Sequence, residues 1–203
     1  MEIATQRPNS KHLVAAAPKS AAPRHGQGNR ALSIVRAKDN QPNYGDTDMA
    51  GTIDARLKEL GLELPQAPKA AGAYVGYVRT GNQLFVAGQI PLWNGELRHI
   101  GKVGVEISIE EAQEAARVCA LNIVAQAKDA LGGDLHRVVR IVKLGGFVNC
   151  PPDFTQHPEV INGASNLIGD IFGEKGAHAR FAMGAGSLPR NVAVEIDAVI
   201  EVA

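Results

Sequence analysis

Residues 179–202 have the sequence ARFAMGAGSLPRNVAVEIDAVIEV, which contains the clearest strand signal in the chain. Over residues 192–202, apolar positions alternate with mainly polar ones, as in a strand that buries one face. A shorter strand is predicted over residues 179–185. The Gly-Ser-Leu-Pro sequence at 186–189 predicts a turn between the two strands.

A four-residue turn would place Arg180 directly opposite Glu195 in a hairpin. Opposed side chains share one face of a sheet, with Cβ atoms about 5 Å apart. The alternation puts this face on the side away from any covering helix. Considered alone, such a pair is typical of a surface ion pair worth under about 1 kcal/mol.

Further towards the N-terminus, residues 74–80 and 83–89 predict two strands joined at Gly81-Asn82, a typical hairpin turn. Another turn is predicted at residues 93–96, and residues 96–105 are compatible with either strand or loop. A β-branched run over residues 137–148 predicts a further strand.

Two helices are predicted between these strands. Ser108 and Glu111 form a capping box, and Gly132-Gly133 ends the helix that it opens. This helix has a narrow stripe of small apolar residues, which predicts close packing against its neighbours. The second helix starts at Pro158 and ends at Gly173 or Gly176. Its predicted buried residues are Val160, Ala164, Leu167, Ile168, Ile171 and Phe172.

The order ββ(β)αβαββ predicts an α+β fold, with both helices on one face of a mixed sheet. The other sheet face would be bare, and covering it by self-association would stabilise so small a domain. The chain divides into a leader over residues 1–48, a lead-in with a short helix over residues 49–69, and the main domain over residues 70–203.

Residues 1–38 of the leader contain seven Lys or Arg and a single acid, Glu2, which is compatible with a transit peptide, a disordered segment or an unused upstream start. The predicted location is cytoplasmic, or mitochondrial or plastid if the leader is a transit peptide. From Met49 onward there are 14 basic and 17 acidic residues, so nucleic acid is not the expected partner. No apolar run is long enough to suggest a membrane partner.

Other residues give only weak indications of a metal site or a catalytic nucleophile. Cys119 and Cys150 make neither a disulfide framework nor a metal cluster, and the histidines lack ligand spacing, so no metal is expected. Ser187 lacks the flanking glycines of a nucleophile elbow.

Two stretches carry a family resemblance. AYVGYVRTGNQLFVAGQIP (residues 73–91) and the 179–202 sequence resemble the opening hairpin and closing signature of the RidA (YjgF) family. The GKVG at residues 101–104 is similar to a longer subgroup. The resemblance implies a chorismate-mutase-like fold and a homotrimer with active sites between subunits. It also implies hydrolysis of 2-imino or 2-enamino acids to 2-oxo acids and ammonia, without a cofactor. Such intermediates are released by pyridoxal-phosphate enzymes.

The resemblance also assigns roles by position. Arg180 would bind the substrate carboxylate, and Glu195 would position water and transfer protons. Tyr74 would reach the cleft as a further catalytic residue. Three residues, Gly88, Asn162 and Ala182, would line the substrate site. Ala182 and Ala87 depart from the archetype, which often has cysteine and serine there.

Two alternatives to a deaminase stay open from the sequence. One is an endoribonuclease or translation inhibitor, a label often attached to this family. The other is a non-catalytic trimer that binds small carboxylates.

Overall fold

The structure is a computed structural model that describes residues 53–203. The predicted leader over residues 1–48 lies outside this range. Within it, no helix is both long and apolar enough to span a bilayer. The helices are α1 (Ile53–Glu59), α2 (Ile109–Ala130) and α3 (His157–Phe172), and the strands are β1 (Tyr77–Thr80), β2 (Gln83–Gln89), β3 (Leu92–Trp93), β4 (Glu96–Leu97), β5 (Val138–Asn149), β6 (Ala179–Ala185) and β7 (Val194–Val202).

Five strands form one mixed sheet in the order β1-β2-β7-β5-β6, and β3 and β4 form a separate two-stranded ribbon. Only β5 and β6 are parallel, and α3 connects them. Such a crossover packs its helix onto one face of the sheet. The predicted α+β class with a mixed sheet is therefore confirmed.

Strand β7 shows why the core lies on one side of the sheet. Its residues Val194, Ile196, Ala198, Ile200 and Val202 are buried, as their alternation predicts, whereas Asp197 is exposed. The buried set faces α2, which in turn packs against α3. Burial of alternate β-branched side chains is the principal source of stability for this layer.

Helix α2 begins at the predicted capping box, where Ser108 Oγ accepts from the Glu111 amide at 3.1 Å. The predicted narrow stripe is wrong, because the middle of α2 is buried on nearly every side. Its buried polar residues bond to chain segments on its other flank. Asn122 Nδ2 donates to the carbonyl of Leu92 at 2.8 Å, and Gln126 Nε2 donates to the carbonyl of Pro68 at 2.6 Å.

The segment before the main sheet packs against the same core. Leu57 of α1 is buried, and Arg56 Nε donates to the Asp170 carbonyl in α3 at 2.8 Å. An ion pair of 2.6 Å joins Asp54 to Lys128 of α2. The predicted lead-in thus contributes to the hydrophobic core of the main domain.

The predicted hairpin between the last two strands is wrong. Strand β5 lies between β6 and β7, so the loop from Gly186 to Ala193 crosses the end of β5. Buried Asn149, the last residue of β5, holds this loop by donating to Asn191 Oδ1 at 3.0 Å and to the Val192 carbonyl at 3.1 Å. A short connection between two strands is typical of a hairpin. A connection of this length can also cross the end of one intervening strand, as it does here.

The sheet face away from the helices is open in the protomer, as predicted. This open face carries Val78, Phe85, Phe147, Phe181 and Val199. Phe147 and Phe181 form an edge-to-face pair with ring centroids 5.3 Å apart. Val78 and Phe85 stay 53% and 43% exposed. Contiguous apolar surface of this kind marks an interaction face.

The contact between α2 and α3 generates a stability prediction. A Cβ added to Gly163 of α3 would overlap the backbone carbonyl of Gln113 in α2, whereas one added to Gly169 meets nothing within 4 Å. Gly163→Ala should therefore lower the free energy of unfolding by about 1–3 kcal/mol through overpacking. Gly169→Ala, the matched control on the same helix, should raise it by about 0.5–1 kcal/mol. Urea unfolding measures both, and equal effects of the two substitutions would contradict the close helix contact.

Candidate active site

Arg180 lies on the edge strand β6 and points to the helix side of the sheet. Its strand neighbour on β5 is Leu144, which is fully buried on that side. Its Nη1 donates to Asn162 Oδ1 at 2.8 Å and to Ser165 Oγ at 3.0 Å. Asn162 and Ser165 are three residues apart on α3, so they share one face of the helix and reach the same guanidinium.

Both hydrogen bonds from Arg180 to described residues leave from Nη1. The two hydrogens of that nitrogen are thus used within the protein. The edge formed by Nε and Nη2 keeps two parallel N–H donors, which match the spacing of a carboxylate. The guanidinium is held in one orientation and presents an anion-binding fork.

Glu195 lies on β7 and faces the open side of the sheet. It is half-buried, between the fully buried Val194 and Ile196. A Cβ added to Gly88 of β2 would overlap Glu195 Oε1, so only glycine leaves room for the carboxylate here. The register between β2 and β7 shifts by one residue at this point, because two residues, Ala87 and Gly88, oppose a single position of β7.

This irregularity is a β-bulge, a feature that often lies beside active sites. The backbone amide of Ala87 turns away from β7 and donates to the Gly76 carbonyl at 2.9 Å. Buried Gln89 fixes the bulge from within, because its Nε2 donates to the Ala87 carbonyl at 2.9 Å. The bulge brings the Gly88 backbone against Glu195.

The environment of Glu195 favours its neutral form. Burial raises the pKa of the Glu195 carboxyl above its usual range, and the nearby Asp197 carboxylate raises it further. Asp197 lies two residues along the same strand, on the same face. A carboxyl group with a raised pKa can hold and release a proton closer to neutral pH.

Arg180 and Glu195 are not cross-strand neighbours, contrary to the prediction from the hairpin. Arg180 pairs in register with Leu144 of β5, and Glu195 pairs with Phe147. Because β5 lies between β6 and β7, those two strands are about 10 Å apart. The side chains also point to opposite faces of the sheet. One protomer therefore contains two separate polar clusters: an arginine cluster (Arg180, Asn162, Ser165) and a glutamate cluster (Glu195, Gly88, Ala87).

The other predicted site residues divide between these clusters or lie apart. Ala182 follows Arg180 on the same face of β6 and packs half-buried against the core. Tyr74 lies before β1, which starts at Tyr77 rather than at residue 74. Its side chain is 58% exposed and forms no hydrogen bond to another described residue. The structure brings Asn162 to Arg180, and Gly88 to Glu195, but does not join Tyr74 to either cluster.

Sequence reasoning did not find Ser165 or the bulge. The signal for Ser165 was its position three residues after Asn162 on a predicted helix. Gly88 inside a strand was itself a bulge signal. No group of three or more His, Cys, Asp or Glu residues that could hold a metal ion occurs among residues 53–203.

The fold and the two clusters define a class: an α+β domain of the chorismate mutase-like type, with an arginine on the edge strand that is anchored to the neighbouring helix. A family model described as "YjgF/chorismate mutase-like, putative endoribonuclease" matches residues 54–201. This chain belongs to the YjgF (RidA) family.

Relatives of known sequence or structure support membership of this family. Protein TCP17 of Trypanosoma cruzi is 48% identical over 153 residues, covering 75% of this chain and 95% of that protein. A RutC family protein of Pyrococcus horikoshii is 32% identical, over 70% of this chain and 97% of its own. The crystal structure of protein Atu1372 from Agrobacterium tumefaciens, whose function is unknown, is 48% identical with a TM-score of 0.70, covering 75% and 94% of the two chains.

The raised pKa of Glu195 predicts how stability depends on pH. The folded protein binds this proton more tightly than the unfolded chain, so wild-type stability falls as pH rises from about 4.3 through the folded pKa. Glu195→Gln has no carboxyl group to ionise, so the variant should not lose stability in this way as the pH rises. Its advantage over wild type in urea unfolding should be absent near pH 4 and grow towards neutral pH. Asp197→Asn keeps the burial of Glu195 and should give a smaller pH-dependent gain. A gain for Glu195→Gln that does not change with pH would contradict the assignment.

Proposed function

We propose that this protein hydrolyses 2-imino acids, or their 2-enamino tautomers, to 2-oxo acids and ammonia. The observation that carries the proposal is the guanidinium of Arg180, which Asn162 and Ser165 hold by one nitrogen only. The free edge of the guanidinium fits a carboxylate in a bidentate geometry. Membership of the YjgF (RidA) family supports the same substrate class.

The separation of the two clusters supports a site between subunits. A small imino acid has its carboxylate next to the imine carbon, so the arginine fork and the proton-transfer group must lie within a few ångström of one substrate. Within one protomer, Arg180 and Glu195 project from opposite faces of the sheet. The arginine of one protomer and the glutamate of its neighbour satisfy the requirement instead.

The open face supplies the surface for this association. Its exposed residues Val78 and Phe85 adjoin β7, the strand that carries Glu195. Covering this face with a neighbouring protomer would remove apolar surface from water and bring a second chain towards the glutamate cluster. We propose a closed homotrimer, in which each cleft is completed by two chains.

In the proposed reaction, Arg180 fixes the carboxylate and so places the imine carbon. The Glu195 carboxylate removes a proton from a water molecule, whose oxygen forms a bond to that carbon. The proton then passes to the imine nitrogen, which completes a carbinolamine. Its hydroxyl proton passes through the Glu195 carboxylate to the same nitrogen, the carbon–nitrogen bond breaks to release ammonia, and the carbonyl of the 2-oxo acid forms. Orientation of water and a single proton-transfer group together supply about 10²–10⁴-fold acceleration, which suits an imine that also hydrolyses in water.

Small side chains at two positions bear on the substrate's size. Ala87 is next to Gly88 in the glutamate cluster, and Ala182 follows Arg180 in the arginine cluster. A methyl group at each position leaves space near both reacting groups. We propose that the cleft accepts imino acids with side chains larger than methyl. Rejection of all bulky imines, such as those from leucine and phenylalanine, would contradict this.

The endoribonuclease label in the family description gains no support from the charge of this chain. The region from Met49 onward has a net charge of −3, whereas binding to a polyanion draws on clustered basic residues. A protein that binds carboxylates without turnover would use the same Arg180 fork. Turnover, and not binding, distinguishes it from the proposed enzyme.

Replacement of Arg180 tests the proposed function. Arg180→Ala should keep the fold and oligomeric state but lose at least about 100-fold in kcat/KM, because two charge-assisted hydrogen bonds to substrate disappear. The assay follows 2-oxo acid formation from an imine that an amino-acid oxidase generates in situ. Arg117→Ala, which removes an arginine of α2 that pairs with the neighbouring Glu114, is the matched control and should retain wild-type turnover. Unchanged turnover in Arg180→Ala would refute the proposal.

A further inference from the structure

His178 lies two residues before Arg180 and joins the arginine cluster through Ser165. Its Nε2 is 3.0 Å from Ser165 Oγ, and its Nδ1 is 2.6 Å from the Gly176 carbonyl oxygen. Ser165 Oγ in turn receives the Nη1–H of Arg180. The four groups form one continuous chain of hydrogen bonds that ends on the backbone.

The Gly176 carbonyl fixes the direction of this chain. A carbonyl oxygen can only accept, so Nδ1 of His178 carries the hydrogen and Nε2 of the neutral ring is an acceptor. The Ser165 hydroxyl therefore donates to Nε2, which leaves its oxygen lone pairs towards Arg180. Every bond in the chain runs from Arg180 to Ser165, to His178 and to Gly176. Aligned hydrogen bonds polarise one another and strengthen the acceptor that Arg180 meets.

The Gly176 end of the chain is anchored. Gly176 is buried at the end of the turn after α3, and a Cβ added there would lie 2.6 Å from the Ile168 carbonyl. The hydroxyl of a serine without such a partner can rotate and point its hydrogen at the guanidinium. The histidine prevents this rotation, because its ring nitrogen takes the hydroxyl hydrogen.

We infer that His178 is a positioning residue: through Ser165, it orients the Arg180 guanidinium so that the Nε–Nη2 edge faces the substrate carboxylate. Asn162 supplies the second acceptor for Nη1, and together the two acceptors define the plane of the guanidinium. The inference deepens the proposed function, on which it rests for the identity of the substrate.

Two conservative replacements of His178 each keep one of its two hydrogen bonds and remove the other. His178→Gln places an amide oxygen near the position of Nε2 and keeps an acceptor for Ser165. His178→Asn places an amide nitrogen near the position of Nδ1 and keeps the donor to Gly176, but it leaves Ser165 without its acceptor. A merely structural role would require the Gly176 bond, so His178→Asn would then be the milder change.

The positioning role predicts the reverse order. In His178→Asn, KM for the imino acid should rise about 10-fold with little change in kcat, because carboxylate binding is weakened in ground state and transition state alike. His178→Gln should stay near the wild-type KM. Calorimetric binding of a 2-oxo acid product should show the same order in Kd. Equal KM and Kd values for the two variants, or a stronger defect in His178→Gln, would overturn the inference.

Ser165→Ala provides an independent test if a histidine variant does not fold. It should weaken binding of the same 2-oxo acid about 10-fold, and the double variant Ser165→Ala/His178→Asn should be no weaker than Ser165→Ala alone. Additive losses would show that His178 does not act through Ser165. Because 2-oxo acid binding needs no turnover, an inactive wild-type protein would contradict the proposed function while these binding results still decide the role of His178.

Discussion

Strand β5 hydrogen-bonds to β7 along one edge and to β6 along the other, and the rest of the site depends on this double pairing. It separates two strands that are adjacent in sequence. It also makes the β5–α3–β6 connection parallel, which lays α3 beside β6 and brings Asn162 and Ser165 to Arg180. On its other side, it leaves β7 free to pair with β2, whose bulge receives Glu195. The position of β5 between β6 and β7 thus separates the polar residues into an arginine cluster and a glutamate cluster.

The sequence predicts the features that local physics controls. The capping box at Ser108, the Gly81-Asn82 turn and the alternation in β7 each involve residues within a few positions of one another, and all three are present. Strand pairing cannot be predicted from neighbouring residues in the same way, because it depends on which strand, distant in sequence, lies alongside. The loop from Gly186 to Ala193 is compatible with a hairpin or with a crossing over β5, and nothing within the loop distinguishes the two.

The same limit applies to the candidate site. The identities of Arg180, Glu195, Gly88 and Asn162 followed from a family resemblance, and the structure places them in two pairs. The predicted opposition of Arg180 and Glu195 in a hairpin is wrong, because β5 lies between their strands. The spacing of Ser165 from Asn162 indicates only that the two share a helix face, and nothing in a single sequence indicates that His178 contacts Ser165.

The two clusters also differ in what holds them. Arg180 is fixed by a chain of hydrogen bonds that ends on the backbone, so little entropy remains to be lost when a carboxylate binds. Glu195 is half-buried beside a second carboxylate, an arrangement that disfavours its charged form and raises its pKa. In the function that we propose, the arginine cluster binds the carboxylate, the glutamate cluster transfers protons, and association over the open apolar face joins the two.

The central claim is that the arginine of one protomer works with the glutamate of another, and subunit complementation tests it most directly. Arg180→Ala and Glu195→Gln are each inactive in this account. After unfolding and refolding as an equal mixture, about a quarter of the clefts should combine an intact arginine from one chain with an intact glutamate from the next, and activity should return in proportion. Native mass spectrometry establishes that mixed oligomers have formed. Mixed oligomers with no more activity than the separate variants would contradict the account.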